Sequence, residues 1–331
     1  MSSESKVALV TGASGMIGSH IVDYLVDERN MFVVALDPAP PFWIKRHILN
    51  GDAVYVHGSS FDAAQVNKIR RRFDIDVIFD IDGVLGTEEC MPRLDTAVNF
   101  TTIGARNIAE LALDKRARVF YIATEFSTER HIDFTDGYSL SKNMALGLYK
   151  EYAKQYGLQL VIARVHHVWS ERQQLLPVRK LLPTMIAYAL AGKPIKIFGE
   201  KTAKKKLHYV YGGDAARVIV DCTLHGEWLK VPIFDIGSRP ENFISVEELA
   251  QMVIDAVGKG KYVIVDDIRK QPELSEMATN NWTDVLGIGT DWMRLLKYDL
   301  PFVIDAFKRR FSIDDFKLAV KIFEDRMKYG V

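Results

Sequence analysis

Short apolar runs alternate with amphipathic stretches through the first half of the chain. Val7 to Thr11 is an apolar, β-branched run of the kind that forms a buried parallel strand, and from Ser19 to Val26 apolar residues recur at helical spacing. The same patterning predicts strands at Met31–Leu36, Ala53–Val56, Asp76–Ile81, Arg118–Thr124 and Leu160–Arg164, and long helices over Val98–Leu113 and Tyr138–Tyr156. Strands and helices in this order predict an α/β fold, a doubly wound parallel sheet covered by helices on both faces. After about Val168 the pattern becomes less regular, with Pro177, Pro183, Pro194 and Pro232 punctuating shorter elements. We therefore expect one domain over 1–168, with returning segments near 209–239, and a smaller lobe occupying mainly 169–331 and interleaved with it.

Between the first strand and the first helix stands Thr11-Gly12-Ala13-Ser14-Gly15-Met16-Ile17-Gly18. Gly12 permits a tight turn there, Gly15 lets backbone N–H groups of the turn and of Met16 and Ile17 approach a pyrophosphate, and Gly18 lets the helix pack closely on the strand. A glycine triplet alone reads equally well as an ordinary turn. Its position between strand and helix, and a second strand that ends in Asp37, favour a Rossmann-like dinucleotide domain. A carboxylate at Asp37 would bond the ribose hydroxyls and repel a 2′-phosphate, which favours NAD over NADP; the alternative is that Asp37 caps a turn before Pro38.

Tyr138 and Lys142 lie four residues apart on one predicted helix and so share a face. An ammonium there would lower the pKa of the phenol, and the phenolate would take a proton from a substrate hydroxyl as that carbon is oxidised. Thr124 ends its strand, where open parallel sheets bind ligands, and would hydrogen-bond the same oxygen.

Composition narrows the partners. Lys+Arg and Asp+Glu both number 43, so no overall field draws in nucleic acid or an anionic membrane. No stretch has the length and apolarity of a membrane span, and residues 1–6 carry no apolar signal region, so a cytoplasmic protein is expected. Cys90 and Cys222 are too few for a disulfide framework or a cysteine metal site, and no metal is expected from the adjacent His166 and His167, whose side chains diverge on an extended segment.

With these motifs the chain resembles the extended short-chain dehydrogenases/reductases, in the branch of NAD-dependent nucleotide-sugar epimerases and dehydratases. The resemblance implies catalytic roles for Thr124, Tyr138 and Lys142, the last two also touching the cofactor. It implies that Asp62, after the third strand, holds the adenine, with Ser60 nearby. Asn99 and Gly104 fit the long helix, Tyr209-Val210 a later strand, Leu175–Gly199 the start of the substrate lobe, and Phe234-Asp235-Ile236-Gly237 the late strand, with Asp235 where asparagine is commoner. It also implies a homodimer formed through the two long helices, closed by a two-fold axis.

The departures fall mainly where substrate is read. Asp80-Ile81-Asp82-Gly83 replaces the usual His-Leu-Ala-Ala, and two carboxylates near a pyrophosphate are unfavourable unless they turn away or are neutralised. The connection from Thr124 to Tyr138 is short. His167 stands at the family's substrate-contacting asparagine, Ser170-Glu171-Arg172 at its Gly-Pro-Arg turn, and Lys204-Lys205-Lys206 where an arginine usually grips a diphosphate. His167, Arg172 and Lys205 are thus candidate substrate residues, with polar packing for the histidines and a solvated loop for Lys201–Lys206 as alternatives. Trp282, Trp292, Phe302 and Phe307 are expected in the core. Glu125 fills one of the two acidic positions that serve elimination in the family, but Phe126 occupies the other. Epimerisation of a nucleotide sugar through a keto intermediate is favoured on that ground; net dehydrogenation, ketoreduction or dehydration, and a silent NAD-binding regulator, are the alternatives.

Overall fold

The computed structural model describes residues 6–83, 93–124, 137–176, 180–225, 233–266 and 277–329. Cys90, Glu125, Phe126, Pro177, Pro232 and the connection 125–136 lie outside the described residues. The chain forms two compact units, the first comprising Met1–Val165, Gly212–Ile236 and Thr279–Gly289, the second His166–Tyr211, Gly237–Ala278 and Thr290–Val331.

The first unit is built on a parallel sheet of seven strands. Its strands β1 (Val7–Thr11), β2 (Phe32–Asp37), β3 (Ala53–His57), β4 (Val77–Asp80), β5 (Arg118–Thr124) and β6 (Leu160–Val165) are joined by the late strand Phe234–Ile236. The order across the sheet is Phe234–Ile236, β6, β5, β4, β1, β2, β3. The chain runs outward from β1 through β2 to β3, then returns to the other side of β1 as β4. That reversal leaves a crevice beyond the carboxyl ends of β1 and β4, where such sheets take ligands. Successive side chains alternate between the faces, so Leu9, Val34, Ile78, Val119 and Ile162 share one core with helices Leu94–Lys115 and Gly137–Tyr156. The first helix, Met16–Asp27, packs with helix Gly212–Leu224. It starts three residues before the apolar periodicity does, because Gly15 takes the extended N-cap conformation.

Asp235 in the late strand has a partner that accounts for its place. Arg164 in β6 lies directly opposite it and donates Nε to Oδ1 at 2.6 Å and Nη2 to Oδ2 at 3.0 Å. A carboxylate matches the guanidinium fork in a way that asparagine cannot. Thr279 adds a hydroxyl donor at 2.9 Å, and the Asn281 side chain accepts the Asp235 backbone N–H.

In the second unit, helices Leu181–Leu190, Val246–Val257, Leu296–Arg310 and Ile313–Tyr329 enclose a core that includes Ile186, Leu249, Val253, Ile304, Phe307 and Phe323. Strand Ile195–Phe198 pairs in parallel with Tyr262–Val265, and Lys206–Tyr211 lies between His167–Trp169 and Phe243–Ser245. Buried His208 ties this sheet to its surroundings: Nδ1 accepts the Ala278 N–H at 3.0 Å and Nε2 meets the Arg239 carbonyl at 3.2 Å. Burial holds its basicity below the ordinary histidine range.

Within Lys201–Lys206, Glu200–Lys204 is a short helix and Lys206 begins a strand, with Lys201, Lys204 and Lys206 exposed, so the solvated alternative stands for those three side chains although the segment is not a loop. The structure corrects one expectation. Trp282 and Phe307 are fully buried and Trp292 is half-buried, but Phe302 is 48% exposed, because it lies on the outer side of a helix whose inner face presents Leu300, Val303, Ile304 and Phe307.

Candidate active site

The glycine turn has the backbone that its sequence predicts. Gly12 is left-handed at φ +63°, and the Gly15 N–H closes the turn on the Gly12 carbonyl at 3.0 Å. A Cβ on Gly18 would stand 2.1 Å from the Gly12 oxygen and 2.8 Å from its carbonyl carbon, so only glycine lets the helix meet the turn so closely. No side chain caps the helix at Gly15, and its first turn contains no acidic residue. Met16 and Ile17 are half-buried and Gly15 is exposed. The positive end of the helix therefore opens on the crevice.

Asp37 braces this turn from β2. Its Oδ2 accepts the Ser14 N–H at 2.9 Å and its Oδ1 the Ala39 N–H at 2.7 Å, while the Ser14 hydroxyl donates to the Ala39 carbonyl at 2.9 Å. Asp37 thus caps the turn, the role that the sequence left as an alternative. Burial raises its carboxyl above the usual range, and the backbone donors of Ala39, Ser14 and Gly15 oppose that rise. Asp62 also serves the local backbone, since its Oδ1 accepts the N–H groups of Ala64 and Gln65 and caps helix Ala63–Arg72.

Asp80 and Asp82 are both turned aside and bonded. Thr11 and Asp80 face each other across β1 and β4, and the Thr11 hydroxyl donates to Asp80 Oδ1 at 2.7 Å while accepting the N–H groups of Ile81 at 3.0 Å and Asp82 at 3.2 Å. Tyr149 donates its hydroxyl to Asp80 Oδ2 at 2.5 Å. Ser60 is fully buried, and its Oγ donates to the Asp82 carboxylate, 2.8 Å from Oδ2. Its backbone N–H points to the same oxygen at 3.3 Å. Gly104 makes that loop position accessible, since a Cβ there would lie 2.3 Å from Ser60 Oγ. Burial and the neighbouring Asp80 charge push the Asp82 carboxyl up to about 7.

Lys142 follows Tyr138 by one turn on helix Gly137–Tyr156. Tyr138 is half-buried at the start of this helix, whereas Lys142 is only 2% exposed. Lys142 Nζ donates to the Asp82 carbonyl at 3.2 Å and the Ile122 carbonyl at 3.4 Å, and it stands 5.1 Å from the centre of the Tyr121 ring. Burial lowers its basicity, and the charges of Asp80 and Asp82 act in the opposite direction. Thr124, buried, ends β5 two residues beyond Ile122, one of those carbonyls. The crevice thus gathers the glycine turn, Asp37, Ser60, Asp82, Lys142 and the end of β5 in one unit.

Tyr149 and Tyr121 join the site without having stood out in the sequence. Tyr149 lies seven residues, two turns, beyond Lys142 and so on the same face, which is a signal that could have found it. Tyr121 donates its hydroxyl to the Lys142 carbonyl at 3.0 Å and packs against Tyr149 with ring centres 4.9 Å apart and the rings tilted by 44°.

The substrate candidates His167, Arg172 and Lys205 belong to the second unit. His167 is half-buried and meets the Tyr209 ring at 5.7 Å. Arg172 Nε lies 3.4 Å from Glu171 Oε1, and Tyr211 donates its hydroxyl to Glu171 Oε2 at 3.1 Å. Lys205 follows the short helix and accepts the Val246 N–H at its carbonyl. Among the described residues one group has metal-donor spacing, Asp23, Asp27 and His47, but Arg46 pairs with both of those carboxylates.

Residues 8–237 match the profile of the NAD dependent epimerase/dehydratase family. The chain is 27% identical over 265 residues to a UDP-N-acetyl-alpha-D-glucosaminuronate decarboxylase of Bacillus cytotoxicus, covering 74% of this chain and 78% of the relative. Similar folds are found in the UDP-glucose 4-epimerase of Thermotoga maritima with UDP-glucose (TM-score 0.79, 19% identity, 92% of this chain and 100% of that one). The UDP-glucuronic acid 4-epimerase of Bacillus cereus, in complex with UDP-glucuronic acid and NAD, gives a TM-score of 0.80 at 19% identity with the same coverage.

Proposed function

Because the chain belongs to the NAD-dependent epimerase/dehydratase family, and is thus an NAD-dependent enzyme of the extended short-chain dehydrogenase/reductase type, we propose that it epimerises a nucleotide sugar through a transient keto intermediate. The observation that carries the reading is that Lys142, one turn after Tyr138, and the glycine turn both meet the backbone of Asp82, and that Lys142 also reaches the Ile122 carbonyl of β5, the strand that Thr124 ends. The cradle fits NAD: glycine at position 18 lets helix and turn close together, the helix end is uncapped, and the Asp37 carboxylate stands at the end of β2. Gly12, Ser14, Gly15, Met16, Ile17 and Gly18 would hold the pyrophosphate, Asp37 the adenosine ribose, and Ser60 and Asp62 the adenine side. When bound, NAD supplies a reversible two-electron acceptor.

The chain's own residues handle the proton. Tyr138 Oη takes it from the substrate hydroxyl and returns it when the carbonyl is reduced again. The Lys142 ammonium favours the phenolate and orients the nicotinamide ribose, and the Thr124 hydroxyl holds the reacting oxygen in line. His167, Arg172, Lys205 and Glu125 are the residues we assign to substrate recognition. A rotation of the keto intermediate between the two half-reactions would give inversion. Elimination or decarboxylation is the second reading, favoured by Glu125 directly after Thr124 and by the decarboxylase relative.

The test is incubation of the purified protein with NAD and a panel of nucleotide sugars, followed by mass spectrometry and isomer-resolving chromatography, with NADH absorbance recorded. An isomer of unchanged mass without accumulated NADH supports epimerisation. Loss of water or carbon dioxide supports the second reading, and stoichiometric NADH a net dehydrogenase. Absence of turnover with intact NAD binding would point to the regulator.

A further inference from the structure

We propose that Asp80 and Asp82 are positioning residues for Lys142, supplying the negative charge that keeps its buried ammonium charged and fixed one turn from Tyr138. The inference rests on the assignment of Lys142 to the acid/base couple made above. A buried ammonium is costly unless charge and hydrogen bonds compensate it. Lys142 has two carbonyl acceptors and the face of Tyr121, all of them dipoles or multipoles without net charge. Among the described residues the charged groups that act on it are Asp80 and Asp82.

Both carboxylates are held in place by separate parts of the unit. Asp80 is 3% exposed and receives the hydroxyls of Thr11, from β1, and Tyr149, from the helix that carries Lys142. Asp82 is held by Ser60 from the loop after β3, and its own carbonyl accepts Lys142 Nζ. Gly83 keeps the approach open, since a Cβ there would lie 3.3 Å from Nζ. The titratable and charged groups facing the lysine are therefore Asp80 and Asp82 at the end of β4, Tyr121 in β5, and Tyr138 and Tyr149 on its own helix. Burial raises both carboxyls, Asp82 to about 7 with the charge of Asp80 adding to the rise, while the hydroxyls of Tyr149 and Thr11 hold that of Asp80 down, so the negative charge beside the lysine grows as pH rises through neutrality. The departure Asp80-Ile81-Asp82-Gly83 from the family pattern thereby acquires a role.

The experiment is a titration of Lys142 in the full chain labelled with carbon-13 at lysine Cε, the signal assigned by its loss in Lys142→Met. Asp80→Asn and Asp82→Asn should each lower the Lys142 midpoint by about one pH unit, and the alkaline limb of kcat should move down by the same amount. A change below about 0.3 of a unit in both variants, or an upward shift, would overturn the proposal. Circular dichroism checks the fold. Should Asp80→Asn fail to fold, Asp82→Asn carries the test by itself: a downward shift there supports the proposal and an unmoved midpoint overturns it. The titration needs no turnover, so failure of the enzymatic reading, seen as full activity in Tyr138→Phe, is distinguishable from failure of this one.

Discussion

Replacing Gly18 with alanine tests the link between local geometry and cofactor binding. The added methyl would lie 2.1 Å from the Gly12 oxygen, 2.8 Å from its carbonyl carbon and 3.1 Å from Ala13 Cα, all of them backbone atoms. Carbon and oxygen need more than about 3 Å, so helix and turn must separate by roughly 1 Å. The helix is packed against Gly212–Leu224 and cannot simply retreat. Overpacking of this kind costs about 1–3 kcal/mol, and the upper end applies where the obstacle is backbone. If the turn yields instead, the cradle opens, and the same energy weakens NAD by roughly 5- to 150-fold. Gly147→Ala on the exposed face of helix Gly137–Tyr156 is the control, since a Cβ there meets nothing within 4 Å. It should stabilise the helix by about 0.5–1 kcal/mol. Calorimetry with NAD and thermal denaturation read both variants. Wild-type affinity together with an unchanged Tm for Gly18→Ala would show that the close contact governs neither the cradle nor the packing.

Asp37→Ala should weaken NAD about tenfold, as loss of one charge-assisted hydrogen bond would, and bring NAD and NADP affinities close together; an unchanged preference in paired calorimetric titrations would show that another residue reads the ribose. Leu94 and Met144, 45% and 44% exposed on the two long helices that pack together, should be covered in a homodimer, so Met144→Glu should shift sedimentation toward monomer, and a wild-type chain that is monomeric at micromolar concentration would remove the expectation. The Asp82 carboxyl at about 7 makes a signed contribution to stability. Its folded-state value is raised, so the folded chain binds more protons than the unfolded one between about pH 4 and 7, and the contribution is full below that window and lost as pH rises through it. Tm should therefore fall from about pH 5 to 8 more steeply in the wild type than in Asp82→Asn, and parallel curves would contradict the assignment.

Much of the fold was legible because the inner strands, β1, β2, β4 and β5, are buried on both faces and read as continuous apolar runs. β1 through β6 lie within a residue or two of their predicted positions. The cradle was legible for a different reason: glycine at position 18 answers a backbone contact only a strand-turn-helix junction produces. The site's charge network was not. That Asp80 turns to Tyr149, and Asp82 to Ser60, depends on partners 69 and 22 residues away, which no local periodicity encodes. The turn-bracing role of Asp37 was half legible, since a carboxylate at a strand end can cap a turn or face a ribose, and its sequence neighbourhood is the same in both cases. Phe302 departs from its expected place because it falls off the stripe Leu296, Leu300, Val303, Ile304 and Phe307 that helical spacing buries, a signal in the sequence that its aromatic identity outweighed.

The role of Tyr138 as proton carrier is decided by the kcat of Tyr138→Phe on whichever nucleotide sugar the panel identifies, with NAD affinity measured in parallel. A loss of about a hundred- to ten-thousand-fold in kcat with NAD binding nearly unchanged is expected, because the substitution removes the proton-transfer group and little else. Wild-type turnover in Tyr138→Phe would contradict that role and leave the acid/base couple without its acid.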